Sequence, residues 1–284
     1  MKVMPVIQGL EWAFDTVAKT YEKLRPGYPD GLYRMLLDYA SINESSCAVE
    51  VGIGGGQATL PILKTGCNVT AVECGENFSK ICEKKFEGYE NFSIITGKFE
   101  DVPLPQAQYD LVYSATAFHW IMEEVGYSKV YRILKPGGVF ARFANHPYGN
   151  KENPVLSAEI NRLYAKYYCP YHGKEQKAQR EYGEEQIVHI AKIAEKYGFV
   201  DIRHAMFYRT RIFSAKEYIG LLGTYSDHIV MEEKVKTEFF EKIEEAINQY
   251  GGTFTIYDTI DLQLARKPKG LYLLGQNSGL FVKG

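Results

Sequence analysis

The sequence predicts an α/β fold: a mostly parallel sheet of seven strands, helices on both faces and a helical cap. Three observations carry this prediction. Between residues 47 and 143, short apolar runs alternate with segments of helical period, the rhythm of a parallel sheet covered on both sides. Four glycines occupy five positions, 52–56, directly behind the first apolar run. Two long alternating stretches, 201–213 and 253–265, follow with helix-like sequence between them.

Apolar residues at helical spacing mark a first helix at 32–39. A strand at 47–51 enters the glycine loop, and helical sequence follows at 57–63. The pattern repeats as strand 68–73, helix 77–86 and strand 92–96, then strand 109–113 and helix 126–134. Pro136-Gly137-Gly138 turns the chain into a fifth strand at 139–143. Beyond residue 145 the rhythm changes, with amphipathic helices at 154–168 and 184–197. The alternating stretch at 201–213 reads as a sixth strand. Helices at 215–222 and 232–250 precede Gly251-Gly252 and a last strand at 253–265. The helices of 214–250 read as a cap inserted between the last two strands. A single domain is expected, divided into an N-terminal lid (1–30), a core (31–147), helices with the sixth strand (148–213), the cap (214–250), the last strand (251–266) and an unassigned tail (267–284).

Composition narrows the function. The 284 residues are 45% hydrophobic and carry a formal net charge of −2, which suits one large α/β domain. Such a balance leaves no basic face for a nucleic-acid duplex, and no nucleic-acid partner is expected. Five cysteines, none in a CxxC pair, fit reduced thiols in a cytoplasmic protein. No metal is expected. Pro5, Gln8 and Glu11 interrupt the N-terminal apolar residues, so neither a signal peptide nor a membrane span is expected.

The loop VEVGIGGGQATL (49–60) holds the chemistry. A phosphate-binding Walker loop requires Gly-Lys-Ser/Thr, whereas this one runs Gly56-Gln57-Ala58. A dinucleotide loop needs a third small residue after GxGxx, and both possible frames place Gln57 or Thr59 there. What fits is an acid followed by alternating glycines: Glu50, Gly52, Gly54 and Gly56. A carboxylate beside the loop would repel a pyrophosphate but tolerates a cationic ligand.

This loop resembles motif I of the class I S-adenosylmethionine-dependent methyltransferases. Glu73, closing the second strand, matches the acid that takes the ribose hydroxyls in that family. The segment from Gly97 through Phe99, Glu100 and Asp101 to Leu104 is similar to its adenine-side segment, with Lys98 and Phe99 departing from the usual pattern. YDLVYSATAFHW (109–120) and ILKPGGVF (133–140) match the motifs after strand four and at strand five. Phe14, Tyr21, Arg25, Pro26 and Tyr28 resemble the N-terminal signature of the trans-aconitate methyltransferase and cantharidin-resistance group. The cap stretch Thr224-Tyr225-Ser226-Asp227-His228 is shared with that group.

The resemblance implies a Rossmann-like class I methyltransferase fold. It implies S-adenosyl-L-methionine as donor, S-adenosyl-L-homocysteine as product and a small-molecule acceptor, with carboxylate or hydroxyl oxygen as the target. The cofactor residues it implies are Tyr21, Arg25, Glu50, Gly52, Gly54, Gly56, Glu73, Phe99, Glu100, Ser114 and Ala115. Arg25 would pair with the methionine carboxylate. An ionised carboxylate acceptor requires no base, whereas a hydroxyl or amine does, and His119 is the candidate for that role. Trp120, His146, Tyr148 and Tyr225 are candidates for the substrate pocket. An RNA or protein methyltransferase, and a non-catalytic binder of the cofactor or its product, are the alternative functions.

Overall fold

The computed structural model describes residues 10–175 and 180–270. The start of the expected lid (1–9) and most of the unassigned tail (271–284) lie outside the described residues. The seven strands are β1 (Cys47–Val51), β2 (Asn68–Glu73), β3 (Phe92–Thr96), β4 (Tyr109–Ala115), β5 (Leu134–Gly149), β6 (Val200–Ser214) and β7 (Thr253–Arg266). They form one sheet in the order β3-β2-β1-β4-β5-β7-β6. β1 to β5 pair in parallel, while β7 runs antiparallel to both β5 and β6.

The helices are α1 (Ala18–Leu24), α2 (Asp30–Ala40), α3 (Thr59–Leu63), α4 (Glu76–Lys85), α5 (Glu123–Ile133), α6 (Pro154–Leu163), α7 (Cys169–Tyr171), α8 (Glu184–Ala191), α9 (Ala215–Leu222), α10 (Ser226–Ile229) and α11 (Glu233–Gln249). α2 shows why the pattern folds this way. Pro29 holds its entry extended, and Ser41 closes it in the left-handed region at φ 54°. Leu32, Tyr33, Leu36 and Tyr39 fall on one face and pack against Ala48, Leu111, Phe143 and Ile260. Leu32 and Leu36 are fully buried, each contributing about 2 kcal/mol through removal from water. The opposite face of the sheet is covered by α5, whose Tyr127, Val130 and Ile133 join Val49, Val51 and Phe140.

Several elements differ from the sequence pattern in extent. β5 spans 16 residues rather than the five expected. Its N-terminal end pairs Leu134 with Tyr109 across a register shift, and Gly137 at φ 83° makes the bulge possible. Its C-terminal end continues along β7 as far as Gly149 opposite Ile256. The helix expected at 154–168 changes to a π-turn over Tyr164–Tyr168, and α8 tightens to a 3-10 helix over Lys192–Tyr197. The long β5, β6 and β7 carry the cap. Ser214 starts α9 through a reciprocal pair of hydrogen bonds with Glu217. Leu221, Phe239 and Ile243 then close over Phe254 and Ile256 in a separate apolar core. Among the described residues no helix is long and apolar enough to cross a membrane.

Candidate active site

A cleft of about 1260 Å³, including its open mouth, lies beyond the carboxyl ends of β1, β2 and β4. This is where the strand order reverses, the position at which open α/β sheets place ligands. The glycine loop forms its floor. Gly52 adopts φ 70°, and a Cβ there would sit 2.5 Å from that of Ala117. Gly56, at φ 72°, gives way to the Phe86 ring beneath the loop. Carbonyls facing away from the cleft are taken by α4: Cys82 Sγ donates to Gly54 O (3.1 Å) and Lys85 Nζ to Gly55 O (2.9 Å). The loop is therefore rigid at its back and bare backbone at its front.

Glu73 ends β2 at one wall, 6% exposed. Its Oε2 accepts from Gly54 N–H and its Oε1 from Gly75 N–H, both at 2.9 Å. Burial raises its pKa against these bonds, and the nearby Asp15 raises it further. A buried carboxylate fixed by backbone donors retains lone pairs for hydroxyls entering the cleft. Phe99 and Glu100 complete this wall. Their turn is organised from below by Lys129, 5% exposed, whose Nζ donates to the carbonyls of Phe99, Glu100 and Val102.

The N-terminal segment roofs the cleft. Asp15 Oδ1 accepts from Phe78 N–H (3.0 Å) at the start of α4. An edge-to-face series of rings, Trp120–Phe14–Tyr21–Phe78, spans the opening with centroids 5.2–5.7 Å apart. Arg25 then reaches the cap: Nε donates to Thr224 Oγ1 (3.0 Å) and a terminal nitrogen to Thr224 O (2.8 Å). Its guanidinium lies 4.9 Å from the Tyr21 ring and 4.2 Å from the Tyr225 ring. Burial raises both phenols, so two neutral aromatic faces flank the cation.

The far end of the cleft, under β5, β6 and β7, is basic. Asp258, buried, receives Arg211 through two bonds (2.6 and 2.9 Å) and Arg209 Nε at 3.1 Å. Asn145 bridges Asp258 and Arg209. Asn145, Arg211 and Arg25 all line the cleft. One carboxylate thus serves two guanidiniums, and a positive charge remains on the wall.

The structure brings together Tyr21, Arg25, Gly52, Gly54, Glu73, Phe99, Glu100, Ala115, Trp120 and Tyr225 around this cleft. Other candidates lie elsewhere. Glu50 is buried behind the loop, accepting from Thr59 Oγ1 (2.8 Å) and Tyr113 Oη (2.7 Å). Burial, opposed by these two bonds, pushes it up to about 7. Ser114 donates to Val51 O beneath the floor. His119 is exposed outside the cleft lining. Desolvation on its packed side, then the Arg142 charge, lowers its pKa from the ordinary imidazole value. His146 stacks on Tyr182 at 3.6 Å, and Tyr148 lines a separate chamber.

Sequence reasoning missed Thr116, Asn145 and Arg211 on the cleft wall and Lys129 beneath it. A signal for one existed. Alternation along β6 puts Arg209 and Arg211 on the face of Phe207 and Phe213, where two arginines on an apolar face call for a partner. Among the described residues, no group of three or more His, Cys, Asp or Glu is placed to hold a metal.

Residues 49–141 match the methyltransferase domain family. An uncharacterized methyltransferase of Schizosaccharomyces pombe is 28% identical over 227 residues, spanning 78% of this chain and 83% of the relative. A type II methyltransferase structure from Anaeromyxobacter dehalogenans superimposes with a TM-score of 0.61 at 21% identity, covering 87% of this chain and 99% of that one. Haemonchus contortus phosphoethanolamine N-methyltransferase 2, solved with phosphomonomethylethanolamine and S-adenosylhomocysteine, gives 0.51 at 16% identity, covering 89% and 57%. Domain match, relatives and fold together support a class I S-adenosylmethionine-dependent methyltransferase.

Proposed function

We propose that the cleft binds S-adenosyl-L-methionine over the glycine loop and that the protein methylates a carboxylate oxygen of a small organic acid. The observation that carries the acceptor class is the basic far end, where Arg211 faces the cleft and Asp258 serves two guanidiniums, those of Arg209 and Arg211.

The residues present fit the donor. Gly52 and Gly54, both at positive φ, keep bare backbone along the cleft floor, and at Gly52 a Cβ would collide with Ala117. Glu73 offers its remaining lone pairs to the ribose hydroxyls, and Phe99 and Glu100 border the adenine. Tyr21 covers the methionine part, and the donors of Arg25 not used by Thr224 reach its carboxylate. Glu50, Gly56 and Ser114 act one layer back, by holding the loop and the β4 end in shape. When bound, the donor supplies an electrophilic methyl that a carboxylate oxygen takes with its lone pair, the carbon–sulfur pair staying on sulfur to leave a methyl ester and S-adenosylhomocysteine.

No proton moves in that exchange, because a carboxylate is already ionised at neutral pH. His119, outside the cleft lining, is then not required as a base. The protein's task is to align the two reactants and exclude water. The roof of Phe14, Tyr21 and Trp120 and the Arg25–Thr224 tie perform the second part. Arg211 orients the acceptor through the N–H groups that Asp258 leaves unused. A reducing, cytoplasmic setting fits the buried thiols of Cys67 and Cys82.

The test is incubation with donor tritiated in its methyl group and pools of carboxylic acids, phenols and amines. Methyl esters release their label as methanol in alkali, whereas ethers and methylamines do not. Base-labile label in the acid pool is expected. Base-stable label, label in an RNA or protein fraction, or calorimetric binding of S-adenosylhomocysteine with no transfer to any class would contradict the reading.

A further inference from the structure

A second chamber of about 1130 Å³, including its mouth, lies behind the cap wall of the cleft. Tyr225 borders both spaces, and of the neighbouring leucines Leu221 faces the cleft and Leu222 the chamber. Its walls are rings and aliphatic side chains, chiefly Tyr148, Tyr164, Tyr218, Phe254, Ile160 and Leu222. Four polar groups form one chain across it. Tyr168 Oη donates to Asp227 Oδ2 (2.5 Å), Asp227 Oδ1 meets His228 Nδ1 (2.8 Å), and His228 Nε2 meets Tyr164 Oη (3.0 Å). Burial would raise Asp227, but His228 and then Tyr168 outweigh it and hold the carboxyl well below its usual range. With Asp227 ionised, a hydrogen on Nδ1 leaves Nε2 to accept from Tyr164, and the Tyr164 oxygen keeps lone pairs for a donor.

Charge and shape together select a ligand. The chamber already contains the Asp227 carboxylate, and Lys174 and Glu175 add one charge of each sign. With two acids, Asp227 and Glu175, against Lys174 and the His228 already paired to Asp227, the chamber holds no net positive charge to draw a second carboxylate. Flat aromatic walls favour a planar, uncharged group. Resting on carboxylate methylation in the adjoining cleft, we propose that this chamber seats the neutral, aromatic body of the acceptor. The substrate class is then an aryl or aryl-alkenoic monocarboxylic acid, with its carboxylate toward Arg211 and its ring past Tyr225. Small di- and tricarboxylic acids are excluded.

The probes are 4-hydroxycinnamate, trans-aconitate and succinate, each titrated calorimetrically into protein saturated with S-adenosylhomocysteine. Wild type is expected to bind 4-hydroxycinnamate at least tenfold more tightly than either polycarboxylate. Leu222→Trp fills the chamber from the wall it shares with the cleft, its side chain directed into the chamber, and should weaken 4-hydroxycinnamate at least tenfold, with S-adenosylhomocysteine affinity changed far less. Tyr148→Ala, at a half-buried wall position that spares the core, should weaken it about threefold to tenfold and serves if the tryptophan variant does not fold. Tighter binding of a polycarboxylate, no binding of 4-hydroxycinnamate, or equal binding to wild type and both variants would overturn the chamber assignment. Binding as expected without base-labile methyl transfer would instead overturn the reaction and leave the chamber assignment standing.

Discussion

Arg25 and Thr224, 199 positions apart, are joined by two hydrogen bonds that fasten the N-terminal segment to the cap across the mouth of the cleft. The tie is charge-assisted, and the guanidinium is stacked between Tyr21 and Tyr225. This one side chain joins the roof to the cap, beside the Asp15–Phe78 bond and the ring series that hold the rest of the roof.

Removing that side chain should open the roof. Arg25→Ala is expected to cost about 1.5–3 kcal/mol of stability, the range for hydrogen bonds to a charged group. It should weaken S-adenosylhomocysteine at least tenfold by calorimetry. Arg25→Lys keeps the charge but loses the planar two-point contact, and should recover only part of the affinity. Wild-type affinity in the alanine variant would mean that the roof contributes nothing to binding.

Lys129 supports the opposite wall. Burial lowers its pKa, but three carbonyl acceptors require the ammonium form. Lys129→Met leaves those carbonyls without their donor and frees the Phe99–Glu100 turn. S-adenosylhomocysteine affinity should fall about tenfold, and hydrogen exchange at residues 99–102 should accelerate. Unchanged exchange there would show that the turn holds itself.

Glu50 predicts a pH dependence of stability. Its folded value, about 7, stands above the ordinary 4.5. The folded chain therefore binds this proton more tightly than the unfolded chain. The stability it contributes is fully present below about 4.5 and is lost as pH rises through about 7. The span is roughly 3 kcal/mol at about 1.4 kcal/mol per unit. Glu50→Gln retains an acceptor for Thr59 and Tyr113 and removes the titration. Relative to wild type, the variant should gain stability between pH 5 and pH 8 in urea unfolding. A difference that does not change with pH would place Glu50 in a more hydrated setting.

How far the sequence reveals this molecule follows from the range of the interactions involved. β1 to β4 and α2 are set by local period and by glycine and proline punctuation, so they are legible from residues alone. β5 is not, because its last residues become strand only by pairing with β7 more than a hundred positions later. Glu73 and the glycine loop announce themselves through spacing. Arg211, Asn145 and Asp258 come from three strands distant in sequence, and no local pattern joins them. Lys129 reads as an ordinary surface lysine of an amphipathic helix until the Phe99 turn is seen above it. The chamber behind Tyr225 likewise exists only once α6, α9 and β7 meet.

The most direct measurement is a comparison of wild type and Arg211→Lys in methyl-ester formation from 4-hydroxycinnamate or whichever acid the labelled pool identifies. Lysine preserves the charge beside Asp258 but cannot hold Asp258 and an acceptor carboxylate in one plane. The KM for the acid should rise at least tenfold, with S-adenosylhomocysteine affinity unchanged. An unaltered KM, or an equal loss of cofactor affinity, would contradict a carboxylate acceptor bound at the basic end of the cleft.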